Sequence, residues 1–437
     1  MYAVTTTNRF RLPAAARLWL LYALFFVAGV AQATIVPLLP RLSARFSLTA
    51  TETALLLALP GLATLAVSVP AGLAADRFGA RRMTLLSGVL LCVSSLAQAT
   101  PSLAVLLAGR VAFGIAYGVV WTTGMAWLAD LDTTTGGRGL GPSVTSSSVG
   151  IMVGPAVGGM LAQVAGLAAP FVSMAAISAA VVVPLAVAVP DHVRRTPDKD
   201  AGSGATSMSR QAVAGLLRRP GVGAATGALI VSGAVSGVSQ LLISGGLHHL
   251  GVSTGQIGLA FSAAAVCYIA VSAAVVRLGR RAHTLRFNAT ATTLLAVALL
   301  PAISGAGVAA LLAALLLAAA PRAAVSTIAY SLAAVPEGAG RAGNGEGGEG
   351  PVQRADGLVF GLLNGAWAAA MVLMPLLAGV LEQRGGARAG YLAVIVPSCA
   401  VAAWLVARSG DGGEGGSDGH RRRFRVRLRL RELGSVG

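Results

Sequence analysis

Continuous apolar runs of about 20 residues recur along the whole chain, and each is long enough to cross the hydrocarbon core of a bilayer as a helix. Twelve are read among the 437 residues, at roughly 18–39, 52–75, 83–99, 103–129, 143–163, 168–189, 222–246, 256–276, 287–304, 307–334, 356–381 and 389–408. The runs do not alternate apolar with polar residues, which excludes membrane-barrel strands. Only 11% of the residues are charged, against about 25% in soluble chains. That leaves too little polar surface to face water on all sides, so a soluble enzyme, a nucleic-acid-binding domain and a disordered scaffold are excluded. The expected fold is all-α and integral to the membrane, with twelve transmembrane helices.

A formal net charge of +17 would suggest nucleic acid in a soluble chain. In a membrane chain it first reports topology, because Lys and Arg concentrate in cytoplasmic loops. With the N-terminus inside, 27 of the 33 basic residues fall in inside segments. Four (Arg41, Arg45, Arg384 and Arg388) fall in outside loops, and Arg110 and Arg322 lie within spans. An odd number of spans would spoil that split. A multi-pass protein of the cell membrane with both termini cytoplasmic is therefore expected. Arg9, Arg11 and Arg17 followed by Ala31-Gln32-Ala33 resemble a signal peptide and its cleavage site, but apolar sequence continues through Ile35, Val36, Leu38 and Leu39. An uncleaved first span is the expectation.

The longest internal polar stretch divides the spans six and six. Its Gly, Ser, Asp and Arg content reads as a linker. The organisation expected is a cytoplasmic N-terminus (1–17), a six-helix bundle (18–189), a cytoplasmic linker (190–221), a second six-helix bundle (222–408) and a disordered basic cytoplasmic tail (409–437). The halves repeat faintly. Asp76-Arg77-Phe78-Gly79-Ala80-Arg81-Arg82 after span 2 is echoed by Val276-Arg277-Leu278-Gly279-Arg280-Arg281 after span 8. Arg110 with Tyr117 in span 4 is echoed by Arg322 with Tyr330 in span 10, and Pro155 with Gly159 in span 5 by Pro375 with Gly379 in span 11. Pseudo-symmetric bundles of this kind mark secondary transporters, whose binding site lies between the repeats near mid-membrane.

Three motifs carry mechanism. Glycines at Gly72 and Gly79 permit close backbone approach and a tight turn, and Asp76 sits among Arg77, Arg81 and Arg82. Arg110 lies inside the apolar run Leu106–Val120, where a charge costs at least ~2.5–3.5 kcal/mol and marks function by default. Arg110, Gly114, Tyr117 and Trp121 fall on one helical face. The alternative for Arg110 is snorkelling toward the membrane edge. Gly150, Gly154 and Gly158 also share one face, leaving a groove for a neighbouring helix. Pro155 cannot donate to the Ile151 carbonyl and loosens the helix beside Gly158 and Gly159.

These strings resemble the major facilitator superfamily over nearly all of residues 17–408, and in particular its twelve-span drug/proton antiporters. Gly72 to Arg82 fits the family's loop 2–3 pattern GxxxD(R/K)xGx(R/K)(R/K) at every fixed position, and Gly150 to Gly159 fits the span-5 pattern GxxxGPxxGG. The resemblance implies that the Asp76 cluster latches one bundle to the other when the inner gate closes, with Asp130 and Asp356 as partners for the arginines. The plain alternative is positive-inside anchoring. It implies too that Arg110 lines the cavity and is linked to proton coupling, and that the span-5 string marks an antiporter. Spans 1, 4, 7 and 10 line the pore in the family, which makes Gln32, Tyr117, Trp121, Gln240, Arg322 and Tyr330 cavity candidates, with Asn364 and Trp367 weaker.

No carboxylate is found near mid-membrane among the sixteen acidic residues. A strongly basic substrate then lacks a buried counter-ion, and neutral, zwitterionic or anionic compounds fit better, with Arg110 and Arg322 as anion partners. Cys92, Cys267 and Cys399 stand apart from one another, so no metal site, cofactor or catalytic residue is expected. Residues 335–354 and 409–419 read as disordered. The alternation Arg421 to Arg431 reads as an extended strand whose seven arginines suit anionic lipid headgroups. The expected function is proton-linked secondary efflux of a small organic compound, a drug or secondary metabolite. The alternatives are a uniporter or importer, or a non-transporting membrane sensor. Nucleic acid is not an expected partner, and an enzyme is not expected.

Overall fold

A computed structural model describes residues 14–131, 140–188, 219–279, 284–304, 307–333 and 352–432. Most of the expected linker at 190–221 and of the low-complexity stretch at 335–354 lies outside them. Among the described residues the regular elements are helices. The first half holds α1 (Ala14–Phe46), α2 (Ala50–Phe78), α3 (Ala80–Gln98), α4 (Leu103–Leu131), α5 (Leu140–Ala165) and α6 (Ala169–Ala188). The second begins with α7 (Pro220–Val238), which runs through a π-helical turn (Ser239–Ile243) into α8 (Ser244–His249). There follow α9 (Thr254–Leu278), α10 (Leu285–Val297), the short α11 (Leu300–Ile303), α12 (Val308–Ala333) and α13 (Val352–Glu432).

Eleven helices among the described residues are long and apolar enough to cross a membrane. The last of them, Gly361–Arg408, is 48 residues long, about 70 Å at 1.5 Å per residue and twice the thickness of a bilayer core. Its backbone turns at Gly386, where φ is 74°. Cut there, it supplies two crossings, and the expected twelve are recovered. α13 then continues to Glu432, so the extended strand expected over 421–431 is replaced by helix. Arg and Leu are both strong helix formers, and a period-2 pattern does not override that preference without a sheet to pair with. His248 and His249 close α8.

The pseudo-symmetry goes deeper than the sequence strings. α2 and α9 both open on a capping box. Thr49 Oγ1 accepts from the Glu52 N–H while the Glu52 carboxylate accepts from the Thr49 N–H, and Ser253 and Gln256 do the same. Such a box satisfies two of the amides a helix start leaves orphaned. Both helices end at a glycine with positive φ, Gly79 (91°) and Gly279 (55°). The turns before the boxes match as well. Leu48 N–H donates to Ser43 C=O and Val252 N–H to Leu247 C=O, around residues of positive φ, Ser47 (51°) and Gly251 (81°).

One buried apolar cluster is drawn from the first half around Leu21, Phe25, Phe113 and Trp127, and another from the second around Val222, Leu229, Val359 and Leu363. The other two clusters mix the halves. Ala54 and Leu57 join a cluster of the second half, and Phe261 packs on one of the first.

Candidate functional site

The two bundles meet through helix pairs related by the repeat, α5 with α9 and α13 with α2. On the face carrying Ser47, Gly159 lies against the Thr254 backbone and Gly379 against the Ala50 backbone. Added Cβ atoms at either glycine would collide with a carbonyl. Beside them Gln163 Oε1 accepts from the Gly255 N–H at 3.0 Å, and Gln383 Oε1 accepts from Thr51 Oγ1 at 2.8 Å. Gly255 is in the first turn of α9, where its N–H has no intrahelical acceptor. The glutamine of one bundle thus caps a helix of the other. Deeper in, Gly258 abuts the Pro155 carbonyl, the Ala156 N–H donates to Ser262 Oγ at 3.0 Å, and Gly61 abuts Val372. These contacts belong to the Ser47-side halves of their helices. Gln163 and Gln383 were not among the sequence candidates. The signal available was their common spacing from the repeated prolines.

Toward the opposite face the residues of the Asp76 string stand differently. Asp76, Arg77 and Arg82 are exposed. Arg81 is drawn into its own bundle, donating to the Ala186 C=O at 2.9 Å. The Asp130 and Asp356 side chains lie outside the described residues. Gly79 makes the expected positive-φ turn. Gly72 has no close approach here, since the nearest atom to an added Cβ is Thr122 Cγ2 at 3.8 Å.

The span-5 string has two faces. Gly150, Gly154 and Gly158 lie against α1 at Phe26, Val30 and Thr34, the groove expected of three glycines on one stripe. Thr34 Oγ1 donates to the Gly154 C=O at 3.4 Å across it. Gly159 and Pro155 face α9 instead, so one short segment sits between its own bundle and the other.

The two intramembrane arginines part company. Arg110 is 1% exposed. Its Nε donates to the Leu56 C=O at 3.2 Å and its Nη1 to Gln98 Oε1 at 3.4 Å, with the Phe113 ring 5.7 Å away. Leu56, Gln98 and Arg110 belong to α2, α3 and α4, so in this arrangement the cation ties three helices of one bundle together. Spacing along a helix does not give that direction. Gly114, on the same stripe, closes on the Pro60 backbone. Tyr117 and Trp121 are half-buried, and Trp121 meets Phe25 of α1 edge to face at 5.2 Å.

Arg322, half-buried near the middle of α12, donates from Nη1 to Ser236 Oγ of α7 at 2.7 Å and stands 5.0 Å from the Tyr268 ring centroid of α9. Its Nε is buried without a hydrogen-bond partner. Hydroxyls beside it pair with one another, Ser232 with Ser326 at 2.9 Å and Thr327 with Ser272 at 3.2 Å. Gln240, half-buried, lies in the π-helical turn of the seventh span, a feature frequent at functional sites. Gln32 is half-buried on α1. Tyr330 Oη donates to Asn364 Oδ1 at 2.6 Å, and Trp367 packs with Tyr330 on the second-half cluster.

The family model of the Major Facilitator Superfamily matches residues 21–345. The chain belongs to that superfamily. Solved structures of a bacterial homologue of the human lysosomal transporter Spinster share the fold. The one described as inward-facing and unoccupied has a TM-score of 0.71 at 14% identity, covering 91% of this chain and 97% of that one. The inward-facing, occupied form has a TM-score of 0.67 at 15% identity, covering 90% and 96%. Curated relatives match locally. The MFS-type transporter ppzB of Metarhizium majus is 38% identical over 106 residues, 24% of this chain and 23% of its own. The MFS-type transporter C18.02 of Schizosaccharomyces pombe is 34% identical over 119 residues, 26% and 27%. The chain spans about a quarter of the length of the curated relatives it matches.

Proposed function

We propose that this superfamily member is a secondary active exporter. It moves a small organic compound, a drug or secondary metabolite, out across the cell membrane by alternating access, in exchange for protons. The observation that carries the reading is the paired seam. The Gln163–Gly255 and Gln383–Thr51 bonds join the bundles on one face, and the exposed Asp76 cluster lies at the other. The basic-residue split makes the Ser47 face external and both termini cytoplasmic, with 18–189 and 222–408 as the rocking bundles. The conformation is then open inward, ready to load from the cytoplasm. Asp76 and Asp130, which close with the arginines and with Asp356, are the carboxylates through which protons couple to the cycle. The tail arginines from Arg421 to Arg431 rest on anionic headgroups of the inner leaflet.

The test is pH-gradient-driven flux in inverted vesicles, with a panel of neutral, cationic and anionic compounds. Gradient-dependent accumulation by the wild type, lost in Asp76→Asn, is the expected result. Full pH-driven transport in both Asp76→Asn and Asp130→Asn variants would remove these carboxylates from the mechanism. Accumulation indifferent to the gradient would remove proton exchange.

A further inference from the structure

We infer that the transport site takes a monovalent organic anion, bound through its carboxylate to Arg322. The inference rests on the reading of this chain as a transporter, though not on the direction of transport. A guanidinium has five N–H donors and no acceptor. In the interior of a bilayer, leaving such donors and their charge unmatched is costly. Arg322 has one hydroxyl acceptor, Ser236, and one ring, Tyr268. Its buried Nε has no partner. None of the hydroxyls of the Ser232–Ser326 and Thr327–Ser272 pairs accepts from that Nε.

Among the described residues no carboxylate bonds Arg322. Glu52, Asp76, Asp130, Asp356 and Glu382, the acids on the spanning helices, lie toward helix ends. A partner for that donor has then to come from outside these helices. Arg110 shows what the same residue looks like when the fold supplies its partners. There both Nε and Nη1 are bonded and exposure is 1%. Arg322 keeps a donor unspent and remains half-buried, at a point where α12 faces α7 and α9, and α9 is one of the helices that pack on the other bundle.

The chemistry of the ligand follows. Nε and an Nη of one guanidinium present parallel N–H groups that match the two oxygens of a carboxylate. One guanidinium balances one negative charge. A dianion would carry an unbalanced charge into the membrane centre, which disfavours phosphate monoesters and dicarboxylates. The Tyr268 ring suits an apolar or aromatic body behind the carboxylate.

Purified full-length protein in detergent is melted with three probes of one shape and different charge: 1-naphthoate, 1-naphthamide and 1-naphthylmethylammonium. Naphthoate is expected to raise the melting temperature of the wild type by several degrees, and the other two to leave it unmoved. Arg322→Gln abolishes the naphthoate shift. Arg322→Lys, which keeps the charge but loses the fork, and Ser236→Ala, which loosens the guanidinium, both weaken binding about tenfold or more, and they serve if Arg322→Gln does not fold. Equal shifts from naphthoate and naphthamide, a naphthoate shift surviving in Arg322→Gln, or no shift of folded wild type with either naphthoate or the smaller benzoate would overturn the site. Equilibrium binding does not depend on driving force. A naphthoate shift without gradient-driven flux therefore sinks the export reading alone, while gradient-driven flux of all three probes, unchanged in Arg322→Gln, sinks the anion site alone.

Discussion

At the scale of single residues, Arg110 and Arg322 show why an intramembrane charge is a question before it is an answer. Both sit in apolar runs and both mark the repeat. Only the directions of their side chains separate a cation that holds three helices together from one that waits for a partner. The structural role predicts its own signature. Arg110→Ala leaves the Leu56 carbonyl and the Gln98 amide without their donor and should cost about 3 kcal/mol of stability, the cost of unpaired buried groups plus a cavity. A melt of the purified variant reads it directly, and a melting temperature equal to wild type would return Arg110 to the transport machinery. Glycines divide in the same way. Gly79 holds φ at 91° with open space around it, so Gly79→Ala should lose about 1–3 kcal/mol through backbone strain alone. If its melt matched wild type, that loop would have to reach another conformation at no cost.

At the scale of elements, the helices and their number were legible in the chain, because apolar length is a local property. The repeats at Asp76, Arg110 and Pro155 were legible as strings. What joins the bundles was not. Gln163 and Gln383 are ordinary polar residues near span ends, and only packing shows that each reaches across to the start of the opposite bundle's helix. The positions nonetheless obey the repeat. Pro155 and Gln163 are as far apart as Pro375 and Gln383, and the Thr49 and Ser253 boxes stand two residues before Thr51 and Gly255. The helical tail was missed for the opposite reason, an alternating pattern weighed above the helix propensity of its Arg and Leu. The cross-bundle bonds have a measurable consequence. Each contributes about 1 kcal/mol, so Gln163→Ala with Gln383→Ala shifts opening of that face by about 2 kcal/mol, roughly 30-fold. Hydrogen exchange at the start of α9, where the Gly255 amide loses its acceptor, should accelerate by that order in the double variant and by about 5-fold in Gln163→Ala. Unchanged exchange there would mean the seam is held by the glycine contacts and not by the glutamines.

At the scale of the whole molecule, alternating access needs a second arrangement, whose stereochemistry α2 already constrains. The Ser47-side half of α2 lies against α13, with Gly61 closed on Val372 and Ala50 and Ala54 on Gly379. The other half, from Val69 to Phe78, carries exposed Val69, Leu73 and Phe78 and the glycine with space around it, Gly72. If the bundles rock, that half must come to pack as the first half packs now, and Gly72 is the position at which backbones would meet. Gly72→Leu is then harmless in one arrangement and obstructive in the other. Its side chain has room where the nearest atom to a Cβ is 3.8 Å away, so the melting temperature should stay within a degree or two of wild type. Flux in reconstituted vesicles should fall at least tenfold, since a buried clash of two or more methylenes costs about 1–3 kcal/mol in the closed arrangement alone. Lost flux together with a lost fold would trace the defect to structure. Retained flux in a well-folded variant would show that α2 does not close on the second bundle at Gly72, and the rocking motion would have to be sought along a different pair of helices.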